Sequence, residues 1–383
     1  MKILQTFSIT STPFSFFDGQ FKYLTEHGYN IHMMCSYGIG VEDFSLRNGI
    51  TYKENEFTRS LTPIKDILAF YRLCAYLKKE HFDVVVGHTT KDSLLLMIGA
   101  WLCKVKHRVY FRHGLLYTTQ KGFKRYILLL EEKFVSAFAT KIVNVSPSLA
   151  KIAIEDKLNA SNKQCLIRKG TCGGIDAKSM FNPAIINKEK REELLRKYKL
   201  EDCDLVFGFC GRFCKDKGIE ELVEAFNLFK KEHREIKTKL LLIGTLDTRD
   251  NISTSLYNIL NMDPTIVITG FVERKKIPYY YSLMDIFILP SHREGYPTVV
   301  LETSAMELPV LTTKAHGCID SIEDGVTGLY IPFEPQGICS VMDQLLDINK
   351  RKEMGVNGRK RVLENYDYSV MWPEVLQMYQ SLK

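Results

Sequence analysis

The chain has 383 residues, of which 45% are hydrophobic, 25% charged and 11% aromatic, and its formal net charge is +7. At roughly 150 residues per domain this length favours two domains, and the apolar content excludes a disordered chain. Residues 1–180 hold 25 Lys and Arg against 15 Asp and Glu. Such a local excess indicates either an anionic partner, such as a membrane surface, a lipid phosphate or nucleic acid, or simply a solvated basic face.

Short β-like runs alternate with longer amphipathic runs through the first half of the chain. Strands are predicted over residues 2–8, 29–35, 83–87, 108–112 and 141–145. Helices are predicted over residues 16–26, 65–81, 93–103 and 123–138. This alternation predicts a parallel sheet with helices on both faces, closed by the strand that ends at residue 145.

The alternation breaks at residues 171–204 and then resumes. Strands are predicted over residues 205–211, 239–244, 266–271, 285–290 and 310–312. Helices are predicted over residues 188–197, 219–230, 277–282, 298–307 and, with a break near 366–367, 351–380. The chain is therefore expected to contain two Rossmann-like domains of the α/β class.

The expected domain boundaries follow from these patterns. The first domain covers residues 1–178, a connection covers 179–204, and the second domain covers 205–362. A C-terminal helix over 363–383 is expected to pack back towards the first domain. Doubly wound sheets bind ligands at the carboxyl ends of their strands, so two such domains that face each other would place the site in the cleft between them.

Cysteine spacing and hydropathy bear on the compartment. The ten cysteines form neither a zinc-ligand pattern nor a secreted disulfide framework. The amino-terminal residues turn polar too soon for a signal peptide, and the longest apolar run, residues 93–103, is too short to span a bilayer. We expect a cytoplasmic protein that is soluble or bound peripherally to the inner face of the membrane.

A glycine-bounded basic loop follows the predicted strand 205–211. It runs from Gly211 and Arg212 to Lys217 and Gly218, where a helix begins. Arg offers a planar fork of donors and Lys a compact charge, and both suit phosphate. The same pattern is also compatible with an ordinary charged loop in solvent.

A second segment, residues 291–302, follows the strand 285–290. Glu294 precedes a helix that begins near Thr298, directly after Pro297, and Glu302 lies on the second turn of that helix. Proline suits a helix start, and the free N–H groups there attract anions. One carboxylate could meet the hydroxyls of a sugar and the other those of a ribose.

These segments resemble the retaining glycosyltransferases of family 4, which have the GT-B fold and include bacterial polysaccharide-biosynthesis enzymes. Glu294 and Glu302 match the family's Glu-x7-Glu signature, and Gly211 to Gly218 resembles its diphosphate-binding loop. Residues 143–148, 269–272 and 324–329 also resemble family segments. The similarity covers nearly the whole chain and is strongest over residues 205–335.

The resemblance implies roles for individual residues. Arg212 and Lys217 would hold the donor diphosphate, Glu294 the transferred sugar and Glu302 the ribose, while His113, at a strand end, matches the family's sugar-contacting His. Asp18 and Gly19 fall where the family has a phosphate-facing loop, although the family usually has two adjacent glycines there. The remaining donor-binding residues implied are Gly211, Gly270, Phe271, Val272, Gly295, Tyr296, Pro297, Thr298 and Val299.

The implied reaction is front-face transfer with retention at the anomeric carbon. Arg212 and Lys217 would supply the positive charge, so neither a metal nor a cofactor is expected, and the nucleotide sugar is a substrate. Asp202-Cys203-Asp204 has the Asp-x-Asp pattern of metal-dependent GT-A enzymes, but it precedes a strand, so no metal site is expected there.

The acceptor is expected on the basic first half. Lys121, Lys124 and Arg125 precede the apolar run 126–130, a pattern that suits an anionic membrane surface or a polyprenyl diphosphate, although helix packing explains the apolar residues equally well. We expect a hexosyl- or N-acetylhexosaminyltransferase that uses a UDP-sugar and a glycan or lipid-linked acceptor. No nucleic-acid module is visible. A GT-B nucleotide-sugar 2-epimerase and a non-catalytic nucleotide-sugar-binding protein are the alternatives.

Overall fold

The computed structural model describes residues 1–58, 62–247 and 252–383. The chain divides into two compact units. Unit 1 comprises Met1–Gly174 and Ser369–Lys383, and unit 2 comprises Ile175–Tyr368. Residues 179–204, expected to connect two domains, lie within unit 2, while the last residues of the chain belong to unit 1.

Unit 1 is built on a seven-stranded sheet. Its strands are β1 (Lys2–Phe7), β2 (Asn30–Cys35), β3 (Thr51–Glu54), β4 (Val84–Gly87), β5 (His107–Arg112), β6 (Lys141–Asn144) and β7 (Gln164–Leu166). All neighbours are parallel, in the order β3-β2-β1-β4-β5-β6-β7. The strand order reverses between β1 and β4, which is where doubly wound sheets bind ligands.

The helices of unit 1 connect these parallel strands. They are α1 (Ser11–Phe16), α2 (Gln20–Glu26), α3 (Val41–Asn48), α4 (Pro63–Glu80), α5 (Thr90–Leu102), α6 (Gly122–Phe138) and α7 (Pro147–Glu155). Val84, Val85 and Val86 are fully buried, as the uninterrupted apolar run predicts for a central parallel strand covered on both faces.

Unit 2 contains a six-stranded parallel sheet. Its strands are β8 (Leu205–Cys210), β9 (Thr238–Ile243), β10 (Ile266–Gly270), β11 (Ile286–Leu289), β12 (Val310–Thr313) and β13 (Gly328–Ile331). They lie in the order β10-β9-β8-β11-β12-β13. The reversal falls between β8 and β11, so the loops after these two strands meet at one edge.

Short and long helices surround this second sheet. They are α8 (Lys188–Lys197), α9 (Ile219–Glu232), α10 (Thr254–Met262), α11 (Ile277–Tyr281), α12 (Thr298–Ala305), α13 (Pro335–Asp343) and α14 (Ile348–Asn365). The last helix, α15 (Tyr368–Gln380), follows a break at residues 366–367, as predicted. No helix among the described residues is both long enough and apolar enough to cross a membrane.

The prediction of two Rossmann-like α/β domains is confirmed. The single helix predicted over residues 16–26 is wrong, because Gly19 adopts a positive φ of 79° and separates α1 from α2. The strand ending at residue 145 does not close the first sheet, since α7 and β7 follow it. The sequence reading also missed α3, β3, α10, β13 and α13, several of which are short or partly polar and so have weak periodicity.

Candidate active site

The loop after β8 packs against the end of β11. Lys215–Lys217 form one 3-10 turn, and Gly218 then begins α9 with a left-handed φ of 69°. A Cβ built on Gly218 would collide with the carbonyl oxygen of Pro290, so only glycine permits this approach. The glycine thus brings Lys217 beside the segment that follows β11.

Lys217 and Glu294 form an ion pair at this edge of the sheet. Their side chains are 20% and 12% exposed, respectively. The hydroxyl of Ser291, which is fully buried, lies 2.8 Å from Oε1 of Glu294 and donates to it. An ammonium group has three N–H donors, so Lys217 can hold Glu294 and still bind an anion.

Arg212 has a different carboxylate partner. Its guanidinium pairs with Asp247, in the segment that follows β9, and the Arg212 side chain is 56% exposed. The sequence placed Arg212 and Lys217 on one diphosphate but did not foresee Asp247. The structure keeps both cations in the loop after β8 and gives each its own carboxylate.

Helix α12 begins four residues after Glu294. Pro297 is its N-cap and provides no side-chain hydrogen bond. The N–H groups of Thr298 and Val299 have no hydrogen-bond partner among the described residues, and both residues are partly exposed. These donors and the positive end of the helix dipole would attract an anion next to Glu294.

The turn between Glu294 and α12 is held from two sides. The N–H of Glu294 donates to the carbonyl oxygen of His316 at 3.2 Å. A Cβ on Gly317 would lie 2.7 Å from the Glu294 carbonyl oxygen and would also collide with that of Gly295. The hydroxyl of Tyr296 lies 2.7 Å from that of buried Tyr366, so this ring braces the turn from inside unit 2.

Glu302 is buried on α12, and both of its carboxylate oxygens are engaged. Arg274 donates to Oε1 at 2.8 Å, and the hydroxyl of Tyr281 donates to Oε2 at 2.9 Å. Burial raises the pKa of Tyr281 well above its ordinary value, so this hydroxyl remains a donor. The carboxylate is therefore fixed in orientation by two elements that precede it in the chain.

The end of β10 and the residues after it combine a turn with an exposed ring. Gly270 has a φ of 74°, a conformation that favours glycine. Phe271 is 84% exposed, whereas Val272 is only 9% exposed and anchors the segment. An exposed aromatic ring at a strand end can stack against a nucleobase.

In unit 1, His113 follows β5 and lies against a second histidine. Its Nε2 is 3.0 Å from Nδ1 of His88, which follows β4. Burial lowers the pKa of His113 to about 4, so the imidazole is neutral near pH 7. A neutral ring can accept a hydrogen bond from a sugar hydroxyl or donate one to it.

Asp18 and Gly19 are tied to α3. The Asp18 carboxylate accepts from Arg47 at 3.0 Å and from the Asn48 amide at 3.1 Å. The N–H of Gly19 donates to Oδ1 of Asn48 at 3.0 Å, and the ring of Trp372 covers this glycine. The Gly19 N–H is therefore hydrogen-bonded to Asn48, a partner that the sequence pattern did not reveal.

Two groups of potential metal ligands in unit 2 lie away from Lys217. Asp204 precedes β8, and its carboxylate accepts from the N–H of Lys237 at 2.8 Å. Ligand atoms of Glu232, Cys339 and Asp343 lie within 4.8 Å of one another, at the far end of α9. Burial raises the pKa of Cys339 to about 12, so its thiol keeps its proton and lies 3.5 Å from Glu232.

Sequence reasoning found the strand-end residues but missed most of their partners. Asp247 and Ser291 each follow a strand at the same sheet edge, and the strand-end rule could have identified them. Arg274 and the loop at Gly317 carry no comparable local signal, because their contacts depend on how the strands are ordered.

The chain has two Rossmann-like domains, each with a parallel sheet. In the second, cationic side chains and a free helix amino end lie where the strand order reverses. These features are typical of the GT-B glycosyltransferases. Comparisons with known proteins agree. Residues 190–361 match the family model described as glycosyl transferases group 1, and residues 20–168 match that of glycosyltransferase family 4.

Individual relatives and solved structures give the same result. The chain is 32% identical over 371 residues to the capsular polysaccharide biosynthesis glycosyltransferase CapM of Staphylococcus aureus, covering 95% of this chain and 93% of CapM. It is 26% identical over 332 residues to the N,N'-diacetylbacillosaminyl-diphospho-undecaprenol alpha-1,3-N-acetylgalactosaminyltransferase of Campylobacter jejuni, covering 85% and 84%. The crystal structure of HepE from Anabaena in complex with UDP-glucose matches the fold with a TM-score of 0.82 at 15% identity, covering 100% of both chains.

The chain therefore belongs to the glycosyl transferases group 1 family, and it is a glycosyltransferase with the GT-B fold.

Proposed function

We propose that this enzyme is a retaining, metal-independent hexosyl- or N-acetylhexosaminyltransferase that moves a sugar from a UDP-sugar to a glycan or polyprenyl-diphosphate-linked acceptor. The observation that carries the proposal is the Lys217–Glu294 pair beside the amino end of α12. Cation, carboxylate and free N–H groups together match a sugar diphosphate, which carries hydroxyls next to negative charge.

Donor recognition divides among the strand-end loops of unit 2. Lys217, Arg212 and the N–H groups of Thr298 and Val299 bind the diphosphate. Charge develops on this group as it leaves, so these donors act most strongly in the transition state. No metal or cofactor is needed, because the side chains supply the positive charge.

The remaining contacts fix the sugar and the nucleoside. Glu294 accepts hydrogen bonds from the transferred sugar, and Glu302, held by Arg274 and Tyr281, accepts from the ribose. The segment from Gly270 to Val272 lies against the base. In unit 1, His113 is proposed to bind a sugar hydroxyl, and the turn at Asp18 and Gly19 keeps the phosphate-side role that the resemblance implies.

The reaction exchanges one glycosidic bond for another. The bond between the anomeric carbon and the diphosphate oxygen breaks, and the electron pair leaves with the nucleoside diphosphate. The acceptor hydroxyl forms the new bond on the same face, and its proton passes to the departing phosphate oxygen. The anomeric configuration is thereby retained.

The acceptor side is proposed to meet an anionic membrane surface at the cytoplasmic face. Phe123, Tyr126 and Ile127 of α6 are 77%, 57% and 43% exposed. Lys121, Lys124 and Arg125 lie between or beside them, and exposed apolar residues next to basic ones suit a lipid interface. The C. jejuni relative, by its name, acts on a diphospho-undecaprenol-linked sugar.

A panel of nucleotide sugars, incubated with an undecaprenyl-diphosphate-linked sugar in EDTA, tests the proposal. We expect one UDP-sugar to give a lengthened lipid-linked glycan with an α linkage where the donor is α, together with free UDP. Glu294→Gln should lower turnover while UDP still binds. An epimerised free sugar, an inverted linkage or activity abolished by EDTA would each contradict a stated part of the proposal.

A further inference from the structure

A continuous chain of four polar groups runs through unit 1 to His113. The Gln5 Nε2 on β1 donates to the hydroxyl of Tyr379 on α15 at 2.9 Å. The Oε1 of Gln5 lies 2.6 Å from Nε2 of His88, and Nδ1 of His88 lies 3.0 Å from Nε2 of His113. We call this chain, from Tyr379 through Gln5 and His88 to His113, the histidine relay.

The inner members of the histidine relay are shielded from solvent. Gln5 and His88 are each 1% exposed, and Tyr379 is 2% exposed. Phe7 stacks on the His88 ring at 4.4 Å between centroids, with an angle of 6° between the planes. A buried polar group without a partner destabilises the fold, so each hydrogen bond in the relay strongly constrains the next.

The direction of each hydrogen bond follows from the Gln5 amide. Its NH2 group donates to Tyr379, so its oxygen must accept, and the proton of His88 therefore lies on Nε2. Nδ1 of His88 then has only a lone pair and accepts from Nε2–H of His113. A neutral imidazole carries one proton, so Nδ1 of His113 is left as an acceptor.

The charge state of both rings agrees with this direction. Burial lowers the pKa of His88 well below its ordinary value, with the nearby His113 adding to the effect. The pKa of His113 is also lowered by burial, to about 4. Among the described residues, Nδ1 of His113 has no hydrogen-bond partner, and the residue is partly exposed, so this lone pair is left for a ligand.

We propose that Tyr379, Gln5 and His88 are positioning residues that hold His113 with its proton on Nε2 and present the Nδ1 lone pair to a hydroxyl of a sugar substrate. This inference rests on the proposed function for the identity of the ligand. It adds a specificity rule: the group that meets His113 must be a hydrogen-bond donor. A hydroxyl or an amide N–H fits, whereas the carboxylate of a uronic acid is disfavoured.

Nuclear magnetic resonance of the full-length enzyme, with nitrogen-15 in its histidine rings, tests the tautomer directly. A long-range proton–nitrogen correlation spectrum at pH 7.5, with His113 assigned from the His113→Gln spectrum, should show a protonated Nε2 and an unprotonated Nδ1. A proton on Nδ1 would overturn the inference, since it requires the Gln5 amide to be reversed and Tyr379 to donate.

Two substitutions test whether the relay sets that tautomer. Tyr379→Phe removes the far acceptor and keeps the ring, so the Gln5 amide can reverse and His113 should show both tautomers. Tyr29→Phe is the matched control, because the buried Tyr29 hydroxyl has no partner within the described part of the chain and its ring lies 6.0 Å from that of Tyr379. An unchanged His113 tautomer in Tyr379→Phe would show that these residues only pack together and do not set the tautomer.

Kinetics separate this inference from the proposed function. His88→Phe keeps an aromatic ring but removes the acceptor for His113. We expect its kcat/KM to fall about tenfold, as for the loss of one neutral hydrogen bond. The kcat/KM of the control Tyr29→Phe should not change. Unchanged kcat/KM in His88→Phe would contradict a positioning role. Absence of transfer in the wild-type enzyme would instead refute the proposed function, and the tautomer would still be judged from the spectra.

Discussion

Replacing Lys217 with alanine tests the diphosphate role most directly. The pair it forms with Glu294 is only 20% and 12% exposed, so solvent screens it less than a surface pair. A hydrogen bond to a charged group contributes about 1.5–3 kcal/mol, which corresponds to a Kd for UDP about 10 to 150 times weaker. Loss of the ammonium also leaves Glu294 unpaired near the phosphates, so we expect the upper part of this range.

Isothermal titration of UDP at 0.15 M salt measures this change. Lys231→Ala is the matched control, because it removes the same charge from an exposed position near the end of α9. The double variant Lys217→Ala with Glu294→Gln should recover part of the lost affinity, since it removes the unpaired carboxylate. A Kd within twofold of wild type for Lys217→Ala would refute the reasoning.

Three further predictions concern stability and surface binding. Glu302→Gln should lower the free energy of unfolding by about 1–3 kcal/mol, because Arg274 and Tyr281 lose a charged acceptor. The Tm should fall by about 2–4 °C per kcal/mol, whereas Glu224→Gln, on the exposed face of α9, should leave it unchanged. Equal Tm values for the two variants would contradict this prediction. His292 donates a hydrogen bond to the Glu221 carboxylate, and this bond raises the pKa of His292. The pairing therefore stabilises the fold fully just below pH 6.5 and less as the pH rises through the raised value. Glu221→Gln should lower the Tm more at pH 6 than at pH 9, and an equal loss would count against it. Co-sedimentation with anionic liposomes should weaken when alanine replaces Lys121, Lys124 and Arg125 together. Unchanged co-sedimentation of this triple variant would contradict the membrane proposal.

The local pattern of the chain was enough to predict the fold class and which candidate residues of unit 2 lie in strand-end loops. Strand and helix periods depend on neighbouring residues, so alternating runs indicated parallel sheets before any contact was known. Lys217 and Glu294 each lie in the loop that follows a predicted strand, and parallel strands bring such loops to one edge. Both residues could therefore be expected at the ligand-binding edge of the second sheet, although their pairing could not.

Tertiary structure decided which partners these residues have. The order of strands places Asp247 beside Arg212 and brings Arg274 and Tyr281 to Glu302, and no local period encodes that order. The histidine relay shows the same limit, because Gln5 and Tyr379 are 374 positions apart. A proton's position on His113 depends on a buried hydrogen-bond chain, and such a chain exists only once distant segments have packed and excluded water.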